Sequence, residues 1–484
     1  MKLLEPLDIN GMVLPNRVMA PAMVTRLADE EGWVTQEISD RYVRYAEGGV
    51  GLIVVEAMAI HHSNSGPLLR ISDDKFVPGL ADMVRRIHDT SDSMVVPQII
   101  HFMKISKSGW RQTVDMLSDE DIEAIIGQFG DAVRRAREAG FDGAEIHSAH
   151  AYTLASFMSR RNTRTDRYGG DSLEGRLHVI GRVMEDVRRK VGRDFPVGVR
   201  FLADEFIKGG NTASDTKLIA LRLAQLGFDY LSLSVGGKLE DAEHIPGQVP
   251  HPYTGYSGER CMPGSLFPPG LHVDLVSDIK AFLMEKGYDL PVAAAGKLST
   301  PAVAEKALVD GKCDFIGIAR GLLADPDWVK KVRAGRDDQL IACDYCNVCK
   351  ALDGAHKKVV CFLWPKGEIQ APMIDPNAGA LSWGEGRGGL TVTLDGGKAK
   401  LRWDKVEGAV RYEVYRADDD GAVQIEDALK ITNWTDGNIL GGIRYHYYVR
   451  ACGASGQVSP PSNSVVIEPA IPVYQAAREY SQTA

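Results

Sequence analysis

The 484-residue chain has no long apolar run, and no basic segment followed by a hydrophobic one stands at its start. The first absence predicts no transmembrane helix, since a bilayer-crossing helix needs about eighteen or more mainly apolar residues. The second predicts no secretory signal peptide within Met1–Leu14. Positive charge is also scarce, because 56 Lys and Arg stand against 65 Asp and Glu, giving a net charge of −9. This balance argues against nucleic acids and anionic membranes as partners, and we expect a cytoplasmic protein.

Cysteine is rare and unevenly placed, with seven in the whole chain. Three are scattered, at Cys261, Cys313 and Cys452. The other four form a cluster with two, two and eleven residues between them: Cys343, Cys346, Cys349 and Cys361. In a reducing compartment such a cluster is typical of a metal site rather than of disulfides. Its spacing suits a [4Fe–4S] cluster or a structural zinc, and the third alternative is that the thiols pack without metal as small apolar groups.

Short apolar segments alternate with amphipathic ones through the first two thirds of the chain. Strands are predicted near Val18–Pro21, Gly51–Ala59, Val95–His101, Asp142–His147, Pro196–Arg200, Tyr230–Val235, Pro291–Ala295 and Cys313–Ala319. Helices are predicted at Glu120–Gly140 (with Gly140 as its C-cap), Leu173–Val191, Ser214–Leu226, Asp274–Lys286 and Pro301–Asp310. Continuous apolar strands separated by helices indicate a parallel sheet. Eight repeats favour a closed (β/α)8 TIM barrel over an open doubly wound sheet.

Polar side chains crowd the end of the fourth predicted strand. The apolar run Phe141–Ile146 leads directly into His147, His150 and Tyr152, and a loop rich in Arg, Asn and Asp follows. Catalytic groups of parallel α/β proteins lie at the C-terminal ends of strands. Two imidazoles and a phenol there could bind a developing oxyanion and supply a proton. The alternative is a strand end whose polar side chains merely satisfy one another.

Two predicted connections are longer than the rest, Ala59–Asp73 and Gly236–Gly270. Long loops on the catalytic face of a barrel often act as lids or as walls of the binding site. The alternative for both is a solvated excursion of the chain.

The C-terminal part has no helical period. Leu390–Pro469 contains short alternating apolar runs about ten residues apart, which predicts an all-β sandwich with its aromatic side chains in the core. Trp403, Tyr412–Tyr415 and Tyr445 resemble a fibronectin type III module, with Tyr445 placed for a tyrosine corner. The predicted domains are a barrel (1–340), a Cys-rich segment and linker (341–378), the β-sandwich (379–470) and a tail (471–484).

Several motifs of the barrel region resemble those of the Old Yellow Enzyme family of flavin-dependent oxidoreductases, over Met1–Gly335. They are LEPLDINGMVLPNRVMAPAM at the start, HSAHAY followed by NTRTDRYGGDSLEGR in the middle, and AAAGKLSTP followed by FIGIARGLLADP at the end. The cysteine spacing is similar to that of the branch with trimethylamine dehydrogenase and 2,4-dienoyl-CoA reductase, whose iron–sulfur cluster exchanges electrons with the flavin. The sequence departs from the family at Met103 and Lys104, where a Gly-Arg pair is common, and at Gly175, where Asn is usual.

The resemblance implies FMN as cofactor. Arg200 would stabilise negative charge at the N1–C2 carbonyl region of the flavin, and Gln98 would pair with its pyrimidine edge. Residues after the last two strands would bind the phosphate: Gly296, Lys297, Ala319 and Arg320. Small or apolar residues would pack near the isoalloxazine ring: Pro21, Ala22, Met23 and Ala57.

The resemblance also implies a reaction. His147 and His150 would bind the carbonyl oxygen of a small unsaturated substrate, hydride would pass from flavin N5 to the β-carbon, and Tyr152 would protonate the α-carbon. We therefore expect an NAD(P)H-dependent reductase of enones or enoyl thioesters. An alternative is an amine or demethylating dehydrogenase that passes electrons from FMN through the cluster to a partner protein, and a third is a non-catalytic electron-transfer scaffold.

The residues after Cys361 contain no Gly-x-Gly-x-x-Gly turn between a strand and a helix, the fingerprint of a dinucleotide-binding domain. The segment GEGRGG (Gly384–Gly389) is interpreted as a linker. The electron donor is therefore left open. Either a nicotinamide reduces the flavin directly, or a separate protein exchanges electrons with the cluster. We expect a homo-oligomer, and the β-module is a candidate docking or oligomer surface.

Overall fold

The computed structural model describes residues 1–62, 66–104, 111–236, 258–265, 267–364, 367–371, 381–384, 387–418, 421–453 and 458–470. The chain divides into two compact units, residues 1–337 with 353–359 and residues 338–352 with 360–484. Among the described residues, no helix is both long enough and apolar enough to cross a membrane. Most of the second long predicted loop, the linker residues 385–386 and the tail 471–484 lie outside these ranges.

The first unit contains a closed barrel of eight strands, in the order β10-β3-β4-β5-β6-β7-β8-β9, in the part of the chain given above. All neighbouring strands of the barrel are parallel. The strands of this unit are β1 Leu7–Ile9, β2 Met12–Leu14, β3 Val18–Ala20, β4 Leu52–Ala59, β5 Met94–Ile100, β6 Ala144–Ser148, β7 Val197–Leu202, β8 Tyr230–Ser234, β9 Val292–Ala295 and β10 Phe315–Gly317.

Helices follow the barrel strands. They are α1 Gln36–Glu47, α2 Val77–His88, α3 Asp119–Glu138, α4 Thr153–Met158, α5 Leu173–Val191, α6 Ala213–Gln225, α7 Gly258–Cys261, α8 Val273–Glu285, α9 Pro301–Val309, α10 Arg320–Ala324, α11 Trp328–Arg333 and α12 Val348–Gly354. Short 3-10 helices lie at Lys2–Leu4, Asp74–Phe76, Val114–Met116 and Asp337–Gln339.

The predicted TIM barrel is confirmed, and each predicted strand and helix is present with small shifts at its ends. Helix α3 ends at the C-cap Ala139, and Gly140 follows with φ +83°. Glycine adopts this left-handed conformation without the Cβ clash that other residues meet there, so Gly140 lies just after the C-cap and the helix ends one residue earlier than predicted.

One apolar core fills the barrel and extends into the hairpin β1–β2. The hairpin contributes Ile9, Met12 and Leu14 to it. These side chains share the core with Leu52 and with the partly buried Met94, which begin strands β4 and β5. The hairpin therefore covers the N-terminal end of the barrel. The loops after the strands shape the opposite end, where the predicted site residues lie.

The second unit contains two antiparallel sheets, β11-β12-β15 and β14-β13-β16-β17. Their strands are β11 Thr391–Asp395, β12 Lys398–Arg402, β13 Ala409–Asp418, β14 Gly421–Leu429, β15 Asn433–Asp436, β16 Tyr445–Gly453 and β17 Val465–Ile467. Trp403, Tyr412 and Tyr445 belong to one buried core, so the predicted all-β domain with an aromatic core is present. The Leu440 backbone N–H donates to the Tyr445 hydroxyl at 3.1 Å, as a tyrosine corner requires. The fibronectin type III assignment and the predicted domain boundaries stay predictions.

Gly198 on β7 has no room for a side chain, because an added Cβ would lie 2.1 Å from the ring of Tyr230. We expect Gly198→Ala to lower the free energy of unfolding by about 1–3 kcal/mol, the usual cost of overpacking a core. Urea unfolding followed by circular dichroism would measure it.

The matched control is Gly181→Ala on helix α5, where an added Cβ would make an ordinary contact 3.6 Å from Leu226. This change should be neutral or should stabilise by about 0.5–1 kcal/mol, because alanine favours helix more than glycine does. If both variants lost the same stability, crowding of Tyr230 would not be the cause.

Candidate active site

The turn after β6 brings together the three predicted catalytic side chains. His147 lies on the strand, His150 and Ala151 both have positive φ (+55° and +61°), and Tyr152 is the N-cap of helix α4. Two successive left-handed residues without glycine are uncommon and are often found at functional sites. The ring centroid of His147 lies 5.3 Å from that of His150 and 5.2 Å from that of Tyr152.

Both imidazoles of this turn are neutral. Burial holds the pKa of His147 well below its usual value, and nearby His150 and Arg200 lower it further. Burial, aided by the charge of Arg200, lowers the pKa of His150 to about 3. The Nε2 atom of His150 lies 2.7 Å from the Ser234 hydroxyl and 3.1 Å from the Cys261 thiol. Within the described residues, Nδ1 of His147 is buried and has no hydrogen-bond partner.

Arg200, on β7, places a buried cation beside these histidines. Its Nη2 atom donates to the Ser234 hydroxyl at 3.4 Å, while its buried Nη1 atom has no hydrogen-bond partner among the residues that the structure describes. A buried guanidinium with an unused N–H is costly unless it meets an acceptor. The residue therefore fits the role predicted for it, contact with the part of a flavin that carries negative charge.

Gln98 is held in place by a carboxylate that the sequence analysis missed. Its Nε2 atom donates to Glu145 on β6 at 2.6 Å, and the Tyr230 hydroxyl donates to the other oxygen of Glu145 at 3.3 Å. Gln98 keeps its side-chain carbonyl and one further amide N–H for a ligand. Burial raises the pKa of Glu145, and Arg200 opposes that rise. Ala57 lies beside Gln98 in the register of β4 and β5.

The residues predicted to bind phosphate follow two neighbouring strands. Strand β9 pairs with β10, and Ala295 at the end of β9 lies opposite Gly317 at the end of β10. Gly296 has φ +114°, and an added Cβ would lie 2.6 Å from the His272 ring. The ammonium of Lys297 donates to the carbonyls of Gly264 at 2.9 Å and Ser265 at 3.1 Å, and also to that of Phe267.

Arg320 holds the same segment, since its Nη1 atom donates to the Pro263 carbonyl at 3.0 Å. The two basic side chains thus hold the backbone carbonyls of Pro263, Gly264, Ser265 and Phe267. Phosphate binding by Gly296, Lys297, Ala319 and Arg320 stays a prediction.

The small and apolar residues predicted beside the flavin ring lie near one another. Pro21, Met23 and Ala319 line one cavity together with Thr25. Ala22 packs against the barrel core. The structure thus gathers residues from the ends of β3 and β10, as a flat ring system lying across the barrel mouth would require.

A second buried carboxylate, Glu56, was noted in the sequence only as the end of a strand. β4 pairs Val55 with Pro97 and Ala57 with Gln98, so Glu56 is an extra residue at a β-bulge. Its Oε2 atom accepts from the Thr25 backbone N–H at 2.9 Å and from the Tyr42 hydroxyl at 3.3 Å. Burial raises the pKa of Glu56 to about 7. A lone Glu inside the run LIVVEAMA was the available signal, because an unpaired carboxylate is rarely fully buried.

The four clustered cysteines all belong to the second unit. Burial raises the pKa of the Cys346 thiol, and Asp344, Cys349 and Cys343 raise it further. Burial likewise raises the pKa of the Cys361 thiol, with added contributions from Cys343 and Cys349. Thiols that influence one another in this way fit a shared metal centre, and a [4Fe–4S] cluster or zinc would be held by Cys343, Cys346, Cys349 and Cys361.

No pattern in the sequence indicates that a histidine lies beside these cysteines. The ligating atoms of Asp344, Cys346 and His446 all lie within 4.8 Å of one another. One hundred residues separate Cys346 from His446, and no local spacing connects them.

The parallel barrel gathers a histidine pair, a tyrosine and a buried arginine at the C-terminal ends of its strands, where the sequence analysis expected a flavin site. The chain belongs to the NADH:flavin oxidoreductase / NADH oxidase family, whose model matches residues 2–115, 102–247 and 271–339. The predicted resemblance of the barrel to Old Yellow Enzyme is thereby confirmed.

The chain is 34% identical over 368 residues to an NADH oxidase of Thermoanaerobacter brockii, covering 70% of this chain and 52% of that protein. A solved 2-naphthoyl-CoA reductase in complex with 2-naphthoyl-CoA is 25% identical, with a TM-score of 0.67 and coverage of 78% of this chain and 60% of that one. Histamine dehydrogenase from Rhizobium sp. 4-9 is 26% identical, with a TM-score of 0.64 and coverage of 75% and 52%. The chain spans about half the length of the curated relatives it matches.

The raised pKa of Glu56 predicts a pH-dependent stability. The folded protein keeps this carboxyl protonated up to about pH 7, whereas an ordinary Glu ionises near 4.5. The unfolding free energy should therefore fall as the pH rises from 4.5 to about 7, by a few kcal/mol at about 1.4 kcal/mol per pKa unit. Glu56→Gln removes this ionisation, so the variant should gain stability relative to wild type between pH 5 and pH 8, as measured by urea unfolding.

Glu5→Gln is the control, because Glu5 is exposed. Its unfolding free energy should follow that of wild type across the same pH range. A Glu56→Gln curve that also ran parallel to wild type would show that Glu56 does not take up a proton on folding.

Proposed function

We propose that the protein reduces an electron-poor C=C bond of the enone or enoyl-thioester class, with FMN as its cofactor and NADH or NADPH as the electron donor. The observation that carries the proposal is the convergence of His147, His150 and Tyr152 at one strand end, with both imidazoles buried. The likeness to 2-naphthoyl-CoA reductase, an enzyme with a thioester ligand, supports this substrate class.

The histidine pair would bind the carbonyl oxygen of the substrate. A neutral imidazole donates one hydrogen bond, and Nδ1 of His147 has no competing partner among the described residues. In a buried site such a donor is stronger than in water, because the local dielectric is low. Drawing electron density towards the oxygen makes the β-carbon of the alkene more electrophilic.

FMN, contacted by Arg200, by Gln98 and by the segments after β9 and β10, would supply the hydride that the β-carbon receives. Tyr152 would then give its hydroxyl proton to the α-carbon. A phenol has a pKa of about 10, so it stays protonated until a strongly basic carbon needs the proton. Tyr152 is only partly buried, which allows it to recover a proton from solvent.

The second unit would add a one-electron centre. We propose that Cys343, Cys346, Cys349 and Cys361 bind a [4Fe–4S] cluster, supported by their spacing and by the mutual influence of their thiols. Such a centre would exchange single electrons with an electron-transfer protein, whereas a nicotinamide would transfer its hydride to the flavin directly. The predicted cytoplasmic location, homo-oligomeric state and docking role of the β-module stay predictions.

The second candidate is a dehydrogenase that oxidises an amine and passes the electrons out through the cluster. The likeness to histamine dehydrogenase favours it. A cationic amine is best held by carboxylates or aromatic faces, whereas a neutral histidine pair beside Arg200 suits an anionic oxygen. We therefore place reduction of the alkene first.

Tyr152→Phe tests the proton donor. The change should slow alkene reduction by about a hundredfold or more, the usual contribution of a general acid. Reduction of the flavin by NADH or NADPH should keep its rate, because no proton from Tyr152 is needed there. Anaerobic stopped-flow spectroscopy measures the two half-reactions separately.

Tyr288→Phe, in the loop between α8 and β9, is the matched control and should leave both half-reactions unchanged. Equal loss of both half-reactions in Tyr152→Phe would remove Tyr152 from the role of proton donor.

Cys361→Ala tests the metal centre. The anaerobically reconstituted wild type should contain about four irons per chain and absorb broadly near 400 nm. The variant should lose most of this iron while its flavin remains bound. Iron, acid-labile sulfide and the visible spectrum would be measured on the same sample.

Cys313→Ala is the control, because Cys313 is buried in the first unit and should keep full iron content when replaced. If the wild type held one zinc or no metal, the [4Fe–4S] assignment would be wrong, while the proposal for the barrel would be unaffected.

A further inference from the structure

Strand β16 of the β-sheets forms one wall around the cysteine-containing segments. The ring of Phe362, which follows Cys361, lies 5.8 Å from that of His446 and 5.4 Å from that of Tyr448. The next residue, Leu363, accepts a 2.6 Å hydrogen bond at its carbonyl from Nη2 of Arg450. Three alternate residues on one face of β16 thus hold the chain just beyond Cys361.

The other cysteines are held to the same sheet through Asp344. The Ser464 hydroxyl, just before β17, donates to the carboxylate of Asp344. Nδ1 of His446 lies 3.9 Å from that carboxylate. Asp344 stands between Cys343 and Cys346 in the sequence, so these contacts position the first turn of the cysteine motif.

Strand pairing and ring stacking support the wall. β16 pairs with β13 on one side and with β17 on the other. The rings of Tyr448 and Tyr415 stack at a centroid distance of 4.6 Å and an interplanar angle of 3°. Every residue of β16 is buried. Arg450 also donates to the Ser459 carbonyl at 3.2 Å, so its guanidinium joins the sheet to the cysteine segment.

We propose that the β-sheet domain is a structural part of the metal centre, with His446, Tyr448 and Arg450 holding the cysteine segments in place and shielding the bound group from water. This inference rests on the metal site proposed above. Groups around the direct ligands commonly set how tightly and how reversibly a metal is bound.

Arg450→Met tests the wall, because it keeps an apolar stem and removes the hydrogen bonds to Leu363 and Ser459. We expect the reconstituted variant to lose iron to a chelator about tenfold faster than wild type, or more. In metal-free protein, an alkylating reagent should modify Cys343, Cys346, Cys349 and Cys361 faster in the variant, as counted by peptide mass spectrometry.

Arg416→Met is the matched control. Arg416 lies on β13 of the same sheet and also makes two hydrogen bonds at 2.9 Å, but to Asp436 and Asn438 of the β-sheet domain itself. It should lower the melting temperature of the β-sheets without changing iron loss or cysteine labelling.

The outcomes separate the two proposals. If Arg450→Met and Arg416→Met lost iron at the same rate, the wall role of β16 would be overturned while the cluster stood. If wild type bound no metal, the cluster would be wrong, and the labelling rates would still decide the wall role: faster labelling in Arg450→Met supports it, and unchanged labelling overturns it.

Discussion

The site in the barrel depends on one buried carboxylate, Glu145, which joins four neighbouring strands. It accepts from Gln98 on β5 and from Tyr230 on β8, and the charge of Arg200 on β7 stabilises it. It lies on β6 itself, two residues before His147. A charge in a barrel interior is costly unless several partners satisfy it, and satisfying it fixes those partners. The same buried carboxylate therefore orients Gln98 through a hydrogen bond and attracts the charge of Arg200.

Burial also decides which side chains of the site carry a charge. The histidines are neutral because the low dielectric and the adjacent Arg200 both oppose their protonation. Arg200 places a guanidinium cation beside them. The site thus presents one fixed cation and two neutral donors within a few ångströms. That combination stabilises negative charge on a ligand without any change in the protonation of these three side chains. A site in which hydride transfer creates an anion needs this property.

The sequence was sufficient for the barrel, because the strands are continuous apolar runs and their helices have clear periods. It was also sufficient for the turn from His147 to Tyr152, whose three side chains are local. It did not show that Glu56 lies at a β-bulge, since one inserted residue leaves the apolar run of the strand recognisable. Nor did it show that Lys297 donates to backbone carbonyls of residues 264, 265 and 267, or that His446 lies beside Cys346. These contacts join distant segments, and only the folded chain brings them together.

The grouping of the cysteine segments with the β-sheets would link the proposed metal binding to folding. Residues 338–352 and 360–484 form one compact unit, so the cysteines and strand β16 are ordered together. The thiols of Cys346 and Cys361 have raised pKa values, and a metal must displace their protons to bind. A metal that binds only the folded arrangement stabilises the β-sheets, because its binding free energy adds to the free energy of unfolding. On this reasoning the C-terminal sheets would be a structural partner of the proposed metal centre, whatever surface they also offer to other molecules.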